Sequence, residues 1–208
     1  MTDFALKQSL NPSKIHYLRE NMTTIVGLKA VDGVVLASDR RASKGFFIAS
    51  KTTQKIMKVD DSLAVAVAGL LSDAVYLVNV VRAERKLIAL KRGYPLSVAE
   101  SSKLIANLFY SGMRNYIPYF AELIVAGVDD EGPHVFSSDM SGSMVAEDFV
   151  SSGSGSPVAY GVLESLYTPN LRLEEARSIA VKAVEAAMQR DPGSGNGVDV
   201  LAIPVKGG

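Results

Sequence analysis

From residue 23 onward the chain alternates between two hydrophobic rhythms. Residues 23–30 (TTIVGLKA) and 33–39 (GVVLASD) are short apolar runs joined at Asp32-Gly33, a pair suited to a hairpin turn. SLAVAVAG over 62–69 has the same strand-like character. The period then lengthens. Val75, Val78, Val81 and Ile88 recur at steps of three and seven, which predicts a helix over about 72–92, ended by Gly93 and Pro95. Ser97 with Glu100 three residues on is a capping-box signature; it opens a second helix with Val98, Leu104, Ile105, Leu108 and Phe109 apolar and Pro118 as its stop. Strand rhythm returns over 122–139, a hairpin turning at Asp130-Glu131-Gly132, with a further short strand near Phe149. Pro157 takes the first position of a helix capped by Ser156 and running to about Tyr167. Ala176, Ile179, Ala180, Ala183, Val184 and Ala187 share one face of a helix over about 173–189, and a strand over 197–205 closes the chain.

Strands, two helices, strands, two helices, strand: consecutive hairpins imply largely antiparallel sheets, and paired helices imply a layer on each outer face. The expected fold is α+β, a four-layer α-β-β-α sandwich of two largely antiparallel sheets. Residues 1–22 differ from the rest. They are polar, lack a period and contain Asn-Pro, and read as a leader ahead of a single domain over 23–208.

Composition narrows the chemistry. The 22 basic residues balance 22 acidic ones, which argues against nucleic acid or an anionic membrane as the main partner. No apolar run reaches the ~18 residues of a membrane span, and the N-terminal stretch lacks the apolar segment of a secretory signal. With no cysteine there are no disulfides, thiolate nucleophiles or zinc–sulfur sites, and the chain fits a reducing, cytoplasmic compartment. Only two histidines occur, His16 in the polar leader and His134 after a Gly-Pro turn, and neither sits in a context that supports a Ser-His-Asp triad. An enzyme of this composition needs Ser, Thr, Lys or a carboxylate as nucleophile.

Thr23-Thr24-Ile25-Val26-Gly27-Leu28, followed by Asp32-Gly33-Val34-Val35-Leu36-Ala37-Ser38-Asp39-Arg40-Arg41, resembles the opening of a proteasome β-type subunit, most closely the archaeal type. The similarity runs on through Lys55, Ala68-Gly69, Ser152-Gly153-Ser154-Gly155-Ser156, Tyr160-Gly161-Val162-Leu163-Glu164 and Arg190-Asp191, so it covers nearly all of 23–205. Spacing carries it: Asp39, Lys55 and Gly69 stand 16, 32 and 46 residues after Thr23, as in the family.

The resemblance implies the N-terminal-nucleophile hydrolase fold and a threonine endopeptidase that cuts unfolded polypeptide inside a closed chamber. Thr23 would be the nucleophile, and its own α-amine, with an ordinary pKa of about 7.7–8.0, the base. Such a residue needs no histidine. Lys55 would lie beside Thr23 and favour its deprotonated hydroxyl, with Asp39 pairing with Lys55. Ser154 and Asp191 would surround the Thr23 amine and hydroxyl, joined by Ser194. The Gly69 N–H would be the oxyanion donor. Ala42, Thr53, Met57, Val67, Leu71 and Val75 would line the pocket for the residue before the cut; none is charged, which points to cleavage after apolar residues. The implied partners are other β-type subunits in a seven-membered ring, α-type subunits on the outer rings and a ring ATPase; no metal or organic cofactor is implied.

Two positions depart from the pattern. Met22 stands where catalytic members usually carry the glycine at which they cleave themselves, between residues 22 and 23 here, and Pro192 stands where serine is more usual. Met22 keeps open a structural β-type subunit whose leader stays uncleaved, and also a translation start at Met22 itself followed by methionine trimming. A different N-terminal-nucleophile hydrolase, or the bacterial two-ring relative, fits the second half of the chain less well.

Overall fold

The computed structural model describes residues 22–45 and 47–205; of the expected leader it therefore describes only Met22, and the rest, like His16, lies outside the described residues. Within the described residues the strands are β1 (Ile25–Ala30), β2 (Gly33–Asp39), β3 (Ala42–Lys44), β4 (Phe47–Ser50), β5 (Ile56–Lys58) and β6 (Leu63–Gly69), then β7 (Ala121–Asp129), β8 (Gly132–Ser138), β9 (Met144–Glu147), β10 (Phe149–Ser152) and β11 (Val198–Pro204). The helices are α1 (Leu71–Arg92) and α2 (Val98–Arg114) in the middle of the chain, and α3 (Ser156–Leu166) and α4 (Leu173–Met188) towards its end. None of them is long and apolar enough to cross a membrane.

One large sheet has the order β10-β1-β2-β11 and the other β5-β6-β7-β8-β9, β3 and β4 form a separate two-stranded sheet, and all these pairings are antiparallel. Alternation along the strands explains the layers, since successive side chains point to opposite faces. In β6, Leu63, Val65 and Val67 join α1 and α2 in one core, together with Leu123 and Val125 of β7. The intervening Ala64, Ala66 and Ala68 meet Ile25, Val34, Leu36 and Ile124 between the two sheets. In β1 and β2, Val26, Leu28, Val35 and Ala37 face the alanine-rich side of α4 and Leu163 of α3. Both faces of each central strand are buried, so these strands read as nearly continuous apolar runs. Small residues in the middle layer let the sheets approach: a methyl group on Gly27 would lie 2.6 Å from Ile124 Cγ2. The result is the expected α-β-β-α sandwich.

Several boundaries differ from the sequence expectation. The Ser97–Glu100 capping box forms in both directions. Yet α2 ends at Arg114, short of Pro118, because Tyr116 turns into the left-handed region (φ 58°) and Ile117 N–H folds back to Gly112 O at 2.9 Å. Ser156 is not a cap but the first residue of α3, and Gly155 caps it without a side-chain bond. The strands β3, β4, β5 and β9 go beyond the sequence expectation; they are three or four residues long and contain no fully buried residue, too short to leave a period in the sequence.

Phe109 is fully buried in the α1/α2 core, edge-on to Tyr119 with ring centroids 6.1 Å apart. Phe109→Ala should cost about 3–5 kcal/mol of unfolding free energy. Phe47→Ala, at a side chain 71 % exposed, should stay within about 0.5 kcal/mol. Urea denaturation of both variants checks the contrast, and equal effects would refute this assignment of the core.

Candidate active site

Antiparallel register gathers the polar residues at one end of the sandwich. β1 begins where β2 ends, and the two are tied there by Asp39 N–H to Thr24 O at 3.1 Å. β10 ends beside the start of β1, with Ser152 opposite Ile25. β11 begins beside the end of β2, with Val198 opposite Asp39. Lys55 immediately precedes β5 and joins β6 through Val67 N–H to Lys55 O at 2.9 Å. Thr23, Asp39, Lys55, Ser154, Asp191 and Ser194, up to 171 residues apart in the chain, therefore meet as one connected network.

At its centre is the Asp39 carboxylate, with no solvent exposure. Its Oδ1 accepts from Thr23 Oγ1 (2.7 Å), Thr24 N–H (3.0 Å) and Lys55 Nζ (2.7 Å). Its Oδ2 accepts from Arg41 N–H (2.9 Å) and Gly195 N–H (3.0 Å). Lys55 also donates to Thr23 Oγ1. The Thr23 hydroxyl thus accepts from an ammonium and donates to a carboxylate, with the residue 3 % exposed. Loss of solvation pushes the Lys55 pKa below its ordinary 10.5. The charge and hydrogen bond of Asp39 and the charge of Asp191 oppose that push, and Arg41 adds to it.

A second arm serves the Thr23 nitrogen. Thr23 N–H donates to Ser154 Oγ (3.1 Å), and Ser154 donates to Asp191 Oδ2 (2.7 Å). Ser194 Oγ donates to the same oxygen at 2.6 Å, which leaves it to accept from Thr24 Oγ1, also at 2.6 Å. The glycines of the SSGSGS turn make room for this arm. Gly153 has φ 91°, and a methyl group there would lie 2.3 Å from Thr23 O. Only glycine fits both that conformation and that contact.

The other predicted positions are spread over neighbouring elements. Gly69 ends β6, two residues beyond the Val67 that is bonded to Lys55. Ala42 is on β3, Thr53 in the link before β5, Met57 on β5, and Leu71 and Val75 in the first turns of α1. Val75 is 40 % exposed, whereas Val67 is 2 % exposed and packed into the α1/α2 core. Pro192 is exposed, and its carbonyl accepts from Arg41 Nη1 at 2.7 Å. His134 pairs with Asp129 at the β7–β8 hairpin, 3.1 Å away.

Sequence reasoning assigned no role to Thr24 or Arg41. Thr24 supplies an N–H to Asp39 and a hydroxyl to Ser194, and Arg41 clamps the 192–196 loop through Pro192 O and Asn196 Oδ1. Nothing in a Thr-Thr or Arg-Arg pair distinguishes the partner that lies more than 150 residues away; the available sign is a polar residue at the mouth of a largely apolar strand. Among the described residues no group of three or more His, Cys, Asp or Glu side chains is placed to hold a metal ion.

Comparison with known proteins agrees with this architecture. Residues 20–203 match the family described as proteasome subunit. The chain is 46 % identical over 182 residues to the proteasome subunit beta of Methanothrix thermoacetophila, covering 87 % of each protein. It is 44 % identical over 185 residues to proteasome subunit beta 2 of Nitrosopumilus maritimus, covering 89 % of this chain and 87 % of that one. Against the proteasome subunit beta of Methanopyrus kandleri the identity is 42 % over 181 residues, covering 87 % and 86 %. With a matched family spanning nearly the whole domain and β-type relatives of this similarity, the chain belongs to the proteasome subunit family, as a β-type member.

Proposed function

We propose that this β-type subunit is a threonine endopeptidase that hydrolyses peptide bonds of unfolded polypeptide, with Thr23 as nucleophile after residues 1–22 have been removed. The observation that carries the proposal is the Thr23 hydroxyl, buried and bridged between the Lys55 ammonium and the Asp39 carboxylate. A threonine hydroxyl is a weak nucleophile until a base takes its proton and a nearby cation favours the resulting oxyanion.

Two stages follow. Before cleavage Thr23 N is an amide, so the Asp39 carboxylate is the acceptor for the hydroxyl proton. Attack of Oγ1 on the Met22 carbonyl carbon closes a five-membered ring. The C–N bond then breaks, the Thr23 nitrogen takes up the proton as an amine, and Met22 is left as an ester on Oγ1. Water cleaves that ester, its hydroxyl going to the Met22 carboxylate and its proton back to Oγ1. After cleavage the new α-amine lies within reach of Ser154, with Asp191 behind it, and serves as the base for attack on substrate. The Gly69 N–H is assigned to the oxyanion, a role typically worth about 3–4 kcal/mol.

The family implies assembly in rings with other subunits. On this reading seven β-type copies form each inner ring, α-type rings cap them, and a ring ATPase delivers unfolded chains. Met22 favours a second reading, a structural subunit that keeps its leader.

Co-expression of residues 1–208 with an α-type subunit, followed by intact mass of the assembled β chain, separates the two. The wild type should begin at Thr23 and hydrolyse peptides, whereas Thr23→Ala should keep its leader and have no measurable activity. A wild-type chain that keeps residues 1–22 supports the structural subunit instead.

Because burial lowers the Lys55 pKa, kcat/KM of the mature protein should fall on the alkaline side at a pH below 10.5. Unfolding through this group does not explain such a fall. Between the lowered value and 10.5 the unfolded chain binds more protons than the folded one, so stability contributed here rises with pH. Activity that persists to pH 10.5, or falls only where thermal unfolding intervenes, would remove Lys55 from the mechanism. The uncharged lining of Ala42, Met57, Leu71 and Val75 predicts faster cleavage of fluorogenic peptides after Leu or Tyr than after Arg or Glu, and the reverse order would refute that pocket.

A further inference from the structure

Met22 is held against the chain in a specific way. The face of Met22 next to the 22–23 bond packs on the Cα of Gly193, which is itself buried. A methyl group on Gly193 would lie 2.5 Å from Met22 Cβ, 2.8 Å from its Cα and 3.0 Å from its carbonyl carbon. These atoms are the start of a side chain and the backbone itself, not the far end of a flexible group, so they cannot swing aside.

The loop carrying Gly193 is tied on both sides. Gly193 N–H donates to Asp191 Oδ1 at 3.1 Å, and Ser194 N–H to Asp191 O at 3.2 Å. Gly195 N–H is fixed to the buried Asp39, and Arg41 holds Pro192 O and Asn196 Oδ1. Pro192, with its fixed φ, stiffens the approach. Any added atom at 193 must therefore displace Met22 or pull the loop off Asp39 and Asp191.

We propose that Gly193 is a positioning residue for self-cleavage, and that its missing side chain is what admits a side-chain-bearing residue at position 22. Catalytic members of the family usually carry glycine at 22; here the bulk stands at 22 and the room is at 193. The two positions act as a complementary pair that sets the Met22 carbonyl carbon, the atom attacked by Thr23 Oγ1. The inference rests on the self-cleaving reading above and adds the determinant that lets Met22 be processed.

The test follows leader removal over time by intact mass, in full-length chain co-expressed with an α-type subunit, for wild type, Gly193→Ala, Met22→Gly and the double variant. Displacement of a reacting atom by about 1 Å costs on the order of a hundredfold in rate, and that slowing is expected for Gly193→Ala. Met22→Gly removes the nearest clash and frees the backbone at 22, so the double variant should recover cleavage to within about tenfold of wild type. A Gly193→Ala chain that matures at the wild-type rate overturns the proposal and leaves the peptidase reading intact. So does a double variant no faster than Gly193→Ala, since a damaged loop or a misfolded chain would not be repaired by deleting the Met22 side chain. A wild type that keeps its leader while Met22→Gly matures also overturns it, for then Gly193 does not accommodate Met22. If neither matures, it is the self-cleaving reading that fails.

Discussion

A carboxylate with no contact with solvent has to find its compensation within the protein, because an unpaired buried charge costs several kcal/mol. Asp39 finds it in five donors drawn from four separate stretches of chain: Thr23 and Thr24 at the mouth of β1, Arg41 beyond β2, Lys55 before β5 and Gly195 after α4. Each donor is also a constraint on where its stretch can lie. The network therefore fixes the ends of β1 and β2 and the loops beside them to one another, and the rest of the site is hung from it.

That arrangement has consequences for Lys55. Its ammonium is desolvated and its pKa falls, yet Asp39 holds it close enough to share the Thr23 hydroxyl. Burial and pairing work against each other on the same group. A surface lysine would be screened by water and would do little for a neighbouring hydroxyl, whereas one held at low dielectric acts strongly at short range. The proposed chemistry depends on this balance, and the balance depends on the burial that the sandwich gives to Thr23, Asp39 and Lys55.

The second arm, Ser154 to Asp191 to Ser194, serves the nitrogen of Thr23. It is built from the two glycine-rich segments, 152–155 and 191–197, whose glycines leave no room for a side chain where they pass Met22, Thr23 and Thr24. Glycine in these segments is a matter of access: one loop receives Thr23 and the other receives Met22.

The sequence by itself determined the layers. Continuous apolar runs in β1, β2, β6 and β7, together with paired amphipathic helices, admit few arrangements other than two sheets between helical layers, because every apolar face has to be covered. Resemblance to a known family also singled out Thr23, Asp39, Lys55, Ser154, Asp191 and Ser194, which the fold brings into one hydrogen-bonded network. Short edge strands such as β3 and β9 left no period to read, and the end of α2 was set by the left-handed turn at Tyr116 and not by Pro118. Only the tertiary structure decided that Thr24 and Arg41 belong to the same network, that Val67 lies under the surface and that Gly193 faces Met22. The reason is physical: hydrophobic period is a local property of the chain, while a hydrogen bond or a steric contact between residues more than 150 positions apart exists only once antiparallel register has brought the strand ends together.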